Sequence, residues 1–329
     1  ETNGDMDAAV EVLKKSGAAK AEKKAARIAA EGIAKVAIDG NTAVVVEVNS
    51  ETDFVAKNAI FQEFVQAVAD KALTVDTEKA GDGEDVVSIL DMKADLDDKI
   101  LKIGEKISIR RFEKVTADVV ASYIHGGGRI GVLVAGNGAS DDAAKEALTN
   151  IAMQIAAMNP QYISRDEISA DELAKMKEIT IDSALNDPFS LPKPVLSKLI
   201  EKAVAGVWSA EDVAIYEEKK SNMNFLPNFL SKEAKAQLAE IACADKEEIS
   251  GNKIFSGLVE GRISKQMKEI CLLDQVYVKA EDGKQTVAAY LKSVNPALKI
   301  AKFVRFEVGE GMEKKNEDFA AEVAKQMNV

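Results

Sequence analysis

The sequence is poor in the side chains on which most metal proteins and many enzymes depend. Its 329 residues include one histidine, His125, and two cysteines, Cys243 and Cys271. A site with several histidine ligands is therefore impossible, a Ser-His-Asp triad would have to use His125, and the cysteines lack the spacing of a zinc site. So few cysteines in a chain of this length indicate a reducing compartment, not a disulfide framework.

Long hydrophobic runs and an excess of positive charge are also missing. No apolar stretch approaches the length that spans a bilayer, and the first residues do not resemble a signal peptide. The formal net charge is −12, which argues against direct nucleic-acid binding because phosphates require a basic surface. Since 47% of the residues are hydrophobic and 30% are charged, we expect a globular protein of two or three compact parts without a membrane segment.

A pattern of hairpin, helix and closing strand occurs twice in the sequence. Each copy begins with two β-branched runs joined by glycine, and the Asp39-Gly40 turn of the first copy is a strong hairpin signal. The repeat predicts an α+β fold with two related subdomains, each a three-stranded antiparallel sheet covered by helices. The predicted elements are strands at 32–38, 42–48 and 106–112 with helices at about 58–73 and 86–100, then strands at 118–124, 129–135 and 302–308 with a helix at about 141–158.

A long excursion separates the helix of the second copy from its closing strand. Apolar periodicity predicts helices at 172–185 and at about 255–270. Between them, residues 188–250 contain four of the six prolines and the single tryptophan, Trp208. The apolar spacing there predicts two or three short helices. An interaction surface and a helical ornament are equally open as roles for this stretch.

The segment from Glu47 to Asn58 joins a predicted strand to the helix that follows it. Its polar residues 49–52 are typical of turns and helix caps. We expect Thr52 to cap the helix and Asn49 to shape the turn. This polar corner therefore controls how the next residues leave the sheet.

Phe54 follows the polar corner and has two interpretations. It lies seven residues before Phe61, so an early start of the helix would bury both rings on one face. Alternatively, Phe54 protrudes from a rigid corner and is offered to a partner protein. Asp53 before it is either a helix N-terminal acid that the dipole stabilises or a contact residue, and both roles are compatible.

Three strings in this chain resemble the elongation factor Ts family, the nucleotide exchange factors for the translation GTPase elongation factor Tu. They are Glu47-Val48-Asn49 with Thr52-Asp53-Phe54-Val55, then Tyr123-Ile-His-Gly-Gly-Gly-Arg-Ile-Gly-Val-Leu-Val134, and Phe303-Val-Arg-Phe-Glu-Val-Gly-Glu-Gly-Met-Glu313. The resemblance implies a cytoplasmic exchange factor that is not an enzyme and that has no cofactor or metal of its own. The implied partner is elongation factor Tu bound to GDP.

The resemblance also implies which residues touch that partner. Phe54 would anchor in a pocket of the partner's G domain, with Asp53 near the magnesium and phosphate region. The tip of the second hairpin would provide a further contact. A C-terminal helix with Phe319 on its apolar stripe would either dock on the G domain or pack within the chain itself. The implied partner-binding residues are Thr52, Asp53, Phe54, Val55, His125, Gly126 and Phe319.

The resemblance further implies the order of domains along the chain. A projecting helical hairpin, enlarged by the insertion 188–250, would interrupt the second subdomain. The expected parts are 1–17, the last helix of a truncated ubiquitin-associated-like domain; 18–115, core subdomain N; 116–165 with 275–311, core subdomain C; 166–274, the hairpin with its insertion; and 312–329, a C-terminal helical module.

Two other functions stay open at this point. The string Gly126-Gly-Gly-Arg-Ile-Gly131 matches a dinucleotide fingerprint, which would make the chain a dinucleotide-binding enzyme, but a strand and not a helix is expected to follow it. The glycines are better explained by a hairpin turn with positive φ. A helical scaffold built on residues 188–250 is the second alternative. No Gly-Lys-Ser/Thr string is present, so the chain should not bind GTP itself.

Two further expectations concern single side chains. His125 is accompanied by no nucleophile string, so we favour a contact role over general-base catalysis. Arg110 and Arg111 are neighbours on a predicted strand and alternate across it. One of them is therefore expected to face an acidic partner.

Overall fold

The computed structural model describes residues 12, 15, 21–81 and 84–313. The chain divides into two compact units, Glu1–Ile163 with Val276–Val329, and Ser164–Gln275. Helices combined with small antiparallel sheets confirm the predicted α+β class. Phe319, most of the helix expected within 1–17 and most of the module expected at 312–329 lie outside the described residues. No helix in the described ranges is long and apolar enough to cross a membrane.

The helices and strands are numbered here in chain order. The first unit begins with β1 (Glu31–Asp39), β2 (Thr42–Ser50), α1 (Asp53–Ala56), α2 (Ala59–Thr74), β3 (Lys79–Ala80), α3 (Val86–Ile89), α4 (Lys93–Ile103), β4 (Ile107–Thr116), β5 (Val119–His125), β6 (Ile130–Asn137) and α5 (Asp142–Met158). The second unit contains α6 (Ala170–Asn186), α7 (Lys193–Val204), α8 (Ala210–Lys219), α9 (Lys232–Ala244), α10 (Lys246–Ser250) and α11 (Lys253–Ile270). The first unit then ends with α12 (Val287–Val294) and β7 (Lys299–Glu307).

The first unit contains two antiparallel sheets. One has the order β1-β2-β4-β3, and the other has the order β5-β6-β7. The six strands predicted from the repeat are all present, and the two-residue β3 adds a short fourth strand to the first sheet. Gly40, at φ 58°, makes the turn between β1 and β2 that the Asp-Gly pair predicts. Local turn chemistry thus fixes the register of this hairpin.

The two sheets pack face to face, and helices cover their outer sides. Ala34, Ala43, Val45 and Val115 of the first sheet meet Leu133, Val304 and Phe306 of the second. On its other face the first sheet is covered by α2, whose Phe61 and Phe64 are buried. Helix α5 packs on β5 and β6. This arrangement sets β1 beside the β5–β6 hairpin, where the amide of Ala34 donates to the carbonyl of Gly128 at 2.7 Å.

The single helix predicted at 86–100 is wrong, because two helices, α3 and α4, occupy this stretch. The chain turns between them at Asp91, whose φ is 51°. Leu90 and Met92 on either side of it are both buried. In a continuous helix, residues two positions apart point in nearly opposite directions. The turn therefore lets both side chains enter the same core.

The second unit is helical and has its own apolar core. Helices α6 and α11 confirm the two predicted at 172–185 and 255–270, and α6 begins with a capping box of Ser169 and Glu172. Four helices, α7 to α10, fill the stretch for which two or three were predicted. One reason is that α9 ends at Asp245, where a separate short helix, α10, begins. The buried Trp208 donates from Nε1 to the carbonyl of Ala234 at 2.9 Å.

Asp212, at the start of α8, is a buried carboxylate in the second unit. Its burial raises its pKa, but hydrogen bonds from the Ser231 amide at 2.9 Å and from the Ser209 and Ser231 hydroxyls outweigh this. The net pKa lies below the ordinary value of 3.8. The carboxylate thus ties the start of α8 to the start of α9.

Replacing Asp212 by alanine should lower the free energy of unfolding by about 2 kcal/mol, because three hydrogen bonds to a buried carboxylate are lost. Since the folded-state pKa is depressed, the carboxylate's contribution is complete above the unfolded pKa and disappears as the pH falls through the folded one. Denaturation followed by circular dichroism between pH 7 and pH 3 measures both effects. Equal pH dependence of the wild-type chain and Asp212→Asn over this range would contradict the assignment.

Candidate functional site

The polar corner predicted between β2 and the next helix is present. Strand β2 ends at Ser50, and Thr52 caps α1, its Oγ1 accepting from the amide of Val55 at 3.4 Å. The predicted cap is therefore confirmed. Helix α1 has only four residues, and Asn58 then caps α2 by accepting from the amide of Ile60 at 2.8 Å.

Phe54 projects into solvent from α1. It is 79% exposed, whereas Phe61 is fully buried. The backbone of Asn58 between them is extended, with φ −73° and ψ 132°, so no continuous helix places the two rings on one face. The interpretation of Phe54 as a core residue is therefore wrong. Val55 next to it is buried and anchors α1 from the inner side.

Opposite charges flank the exposed ring. The Lys57 ammonium lies 2.9 Å from an Asp53 carboxylate oxygen, one helical turn away. The hydrogen bond from Lys57 lowers the pKa of Asp53 below 3.8, against a smaller opposing effect of desolvation. Asp53 is therefore ionised at neutral pH. Lys57 Nζ is also 6.0 Å from the centroid of the Phe54 ring, at the outer limit of a cation–π contact.

Glu47, five residues before Thr52, is fully buried and meets two arginines. Arg111 Nε lies 2.6 Å and Arg110 Nη1 lies 3.1 Å from its carboxylate oxygens. The strand pairing shifts by one residue between Glu47 and Val48, and this bulge lets neighbouring arginines reach the same carboxylate. The acidic partner expected for one of these arginines is therefore Glu47, and the other arginine meets it as well.

The Glu47 carboxylate also holds more distant parts of the first unit. It accepts from the backbone amide of Gly309, beyond β7, at 2.8 Å. Asn49 Nδ2 donates to it at 3.0 Å and to the carbonyl of Glu31 at 3.1 Å. Asn49 is a buried residue of β2, so its predicted role in a turn is wrong. It joins the beginning of β1 to the end of β2.

The second candidate contact region is the turn between β5 and β6. Gly126, Gly127 and Gly128 have φ values of 59°, 66° and 100°, as a tight glycine turn requires. His125 is exposed, and its Nδ1 lies 3.2 Å from the Tyr123 hydroxyl. Because β6 and not a helix follows the glycines, the geometry of a dinucleotide site is absent here.

The three glycines of this turn have different surroundings. A Cβ at Gly128 would lie 2.7 Å from Ile33 Cγ2, whereas a Cβ at Gly127 meets nothing within 4 Å. We therefore expect Gly128→Ala to cost about 1–3 kcal/mol more than Gly127→Ala, since both have positive φ but only the first also crowds β1. Chemical denaturation of the two variants measures the difference. Equal losses would show that the hairpin moves freely away from β1.

Strand β1 connects the corner and the hairpin. It contacts α1 on one side and the turn at Gly128 on the other. A groove of about 390 Å³ lies along β1 and is bordered by Gln62 of α2, by Ile124 and by the glycine turn. Gln62 Nε2 also donates to the carbonyl of Ala56 at 3.3 Å.

Within the described residues, no group of three or more histidine, cysteine or acidic side chains is placed to hold a metal ion.

Two carboxylates that shape the corner were not identified from the sequence. Glu105 accepts from the amides of Glu51 and Thr52, and Glu51 accepts from the amide of Lys106. These partners are more than 50 residues apart in the chain. The sequence carries no local signal for such contacts. Only the pairing of β2 with β4 brings them together.

Comparison with known proteins shows similarity over almost the whole chain. Residues 51–310 match the family model described as elongation factor TS. The elongation factor Ts of Clostridioides difficile (strain 630) is 39% identical over 335 residues, covering 99% of this chain and 90% of that protein.

Proposed function

Because the chain belongs to the elongation factor Ts family, the nucleotide exchange factors of translation elongation, we propose that it binds elongation factor Tu carrying GDP and accelerates GDP release. Asp53 and Phe54 enter the partner near its magnesium and phosphate region. The chain makes and breaks no covalent bond in this process. It acts in the cytoplasm, where its partner works, and needs no cofactor.

Exchange by this route follows from thermodynamic linkage. Bound GDP and magnesium stabilise one arrangement of the partner's phosphate-binding region. An inserted side chain that fits a different arrangement weakens nucleotide binding to the partner. By linkage, bound nucleotide weakens the binding of the exchange factor by the same factor. A protruding ring on a fixed corner suits this role, because little conformational freedom is lost when it binds.

The observation that carries the proposal is the exposure of Phe54 within the family-matched part of the chain. A ring that is 79% exposed contributes little to the stability of its own unit, although large apolar side chains are usually buried. The neighbouring backbone is held by the Thr52 cap and the buried Val55. Aromatic side chains at the centre of interfaces are common hot spots.

The hairpin turn supplies a second contact region in this proposal. His125 and Gly126 are exposed at the tip, while Gly128 is held against β1. The corner and the tip thus border the same strand. Thr52 and Val55 support the contact from beneath α1.

Stopped-flow release of fluorescently labelled GDP from elongation factor Tu tests the proposal. The release rate should rise with the concentration of the chain and reach a plateau, since exchange proceeds through a ternary complex. Excess unlabelled nucleotide prevents rebinding and does not itself accelerate release. A release rate independent of the chain over the whole concentration range would overturn the proposal.

A further inference from the structure

The backbone that carries Phe54 is held in place by a residue outside the corner itself. Glu105 lies in the loop between α4 and β4, and its carboxylate faces the residues just before α1. One carboxylate oxygen accepts from the amides of Glu51 at 3.1 Å and Thr52 at 3.0 Å. The other accepts from the Thr52 hydroxyl at 2.7 Å.

A reciprocal contact completes this arrangement. The Glu51 carboxylate accepts from the amide of Lys106 at 2.6 Å and pairs with Arg27 at 3.2 Å. Strands β2 and β4 pair as far as Ser50 and Ile107. Beyond this last backbone pair, the Glu51 and Glu105 side chains link the two strands by accepting hydrogen bonds from backbone amides of the opposite segment.

Helix α1 needs such external support. A helix of four residues is too short to be stable by itself. Its inner contact is Val55, and its cap is the 3.4 Å contact from the Val55 amide to Thr52 Oγ1. Hydrogen bonds to an ionised acceptor are stronger and more directional than those between neutral groups. The three hydrogen bonds that Glu51 and Thr52 donate to Glu105 fix the direction in which the chain enters α1.

We propose that Glu105 is a positioning residue for exchange: it holds Glu51 and Thr52 so that Phe54 is presented in a single arrangement. This inference rests on the proposed function. Glu105 touches neither nucleotide nor partner in it. Loss of the carboxylate leaves the fold intact and lets the corner adopt several arrangements, of which only a fraction can bind.

Glu105→Ala should raise the concentration of chain that gives half-maximal GDP release. If one tenth of the molecules keep the competent corner, the increase is about tenfold, while the plateau rate is unchanged because the bound complex is the same. Glu105→Asp, one methylene shorter, should show the same defect. Glu105→Gln should restore most of the affinity, since its carbonyl oxygen accepts from both amides and its NH₂ group donates to the Thr52 hydroxyl.

Asp141→Ala is the matched control, because Asp141 also accepts a backbone amide, that of Ala144 at 2.8 Å, but at the start of α5. It should lower stability without changing the half-maximal concentration. Glu105→Ala within twofold of wild type, or Glu105→Gln as impaired as Glu105→Ala, would overturn the proposal.

Hydrogen exchange distinguishes this proposal from the proposed function. The amides of residues 51–55 should exchange faster in Glu105→Ala than in the wild-type chain, while those of β1 and β2 keep their protection. This measurement needs no partner. If the wild-type chain fails to accelerate GDP release from elongation factor Tu, the proposed function is wrong. The hydrogen-exchange data then still decide whether Glu105 holds the corner. Unchanged exchange at these amides would exclude it.

Discussion

Replacing Phe54 by alanine is expected to reduce the affinity of the chain for elongation factor Tu·GDP roughly thirtyfold, which corresponds to ~2 kcal/mol for a central aromatic contact. The stability of the chain should not change, since the ring is 79% exposed. GDP release measured over a range of chain concentrations gives the affinity. Circular dichroism and thermal denaturation verify that the fold is intact.

Phe225→Ala provides the matched control for this experiment. Phe225 is another exposed aromatic residue, with 58% of its surface accessible, but it belongs to the second unit. Its removal tests whether loss of any exposed ring weakens exchange. Equal effects of the two substitutions, or full activity of Phe54→Ala, would exclude Phe54 as the inserted residue.

Removal of the Glu47 carboxylate is expected to have the largest effect on stability. Glu47→Ala deprives Arg110 and Arg111 of their shared partner, although both guanidinium groups are mostly buried. It also removes the acceptor of the Gly309 amide. Breaking a buried ion pair from one side typically costs about 3–5 kcal/mol. For a unit of this size the midpoint of thermal unfolding should fall by roughly 10 °C.

Asp98→Ala is the control for Glu47, because it removes a carboxylate of the same unit from a more exposed ion pair. Asp98 lies 2.9 Å from Lys102 on α4, and both side chains are substantially accessible. Exposed pairs of this kind contribute less than about 1 kcal/mol. A loss at Glu47 no larger than the loss at Asp98 would show that the network contributes little to stability.

The sequence predicts the fold where the signals are local. The Asp39-Gly40 turn and the alternation on either side of it predict the first hairpin, and glycines at 126–128 predict the second. Prediction from the sequence fails where burial overrides helical periodicity. The composition around Leu90 and Met92 is compatible with one helix, and the turn between them is explained by the burial of both side chains in the same core.

The candidate site follows the same division. The capping role of Thr52 can be predicted from its residue type and its place before a helix. Spacing alone left Phe54 open between core and surface, because the interruption at Asn58 decides which way the ring points. Glu47 and Glu105 act through partners more than 50 residues away. Their roles depend on strand pairing and on a bulge, for which single-residue patterns give no sign.

The single tryptophan has a practical consequence for experiments on this protein. Trp208 is buried in the second unit and donates a hydrogen bond to the Ala234 carbonyl, so its fluorescence reports on the packing of those helices. Emission should therefore follow the unfolding of residues 164–275. A second tryptophan, introduced into the first unit, would give that unit an optical signal of its own.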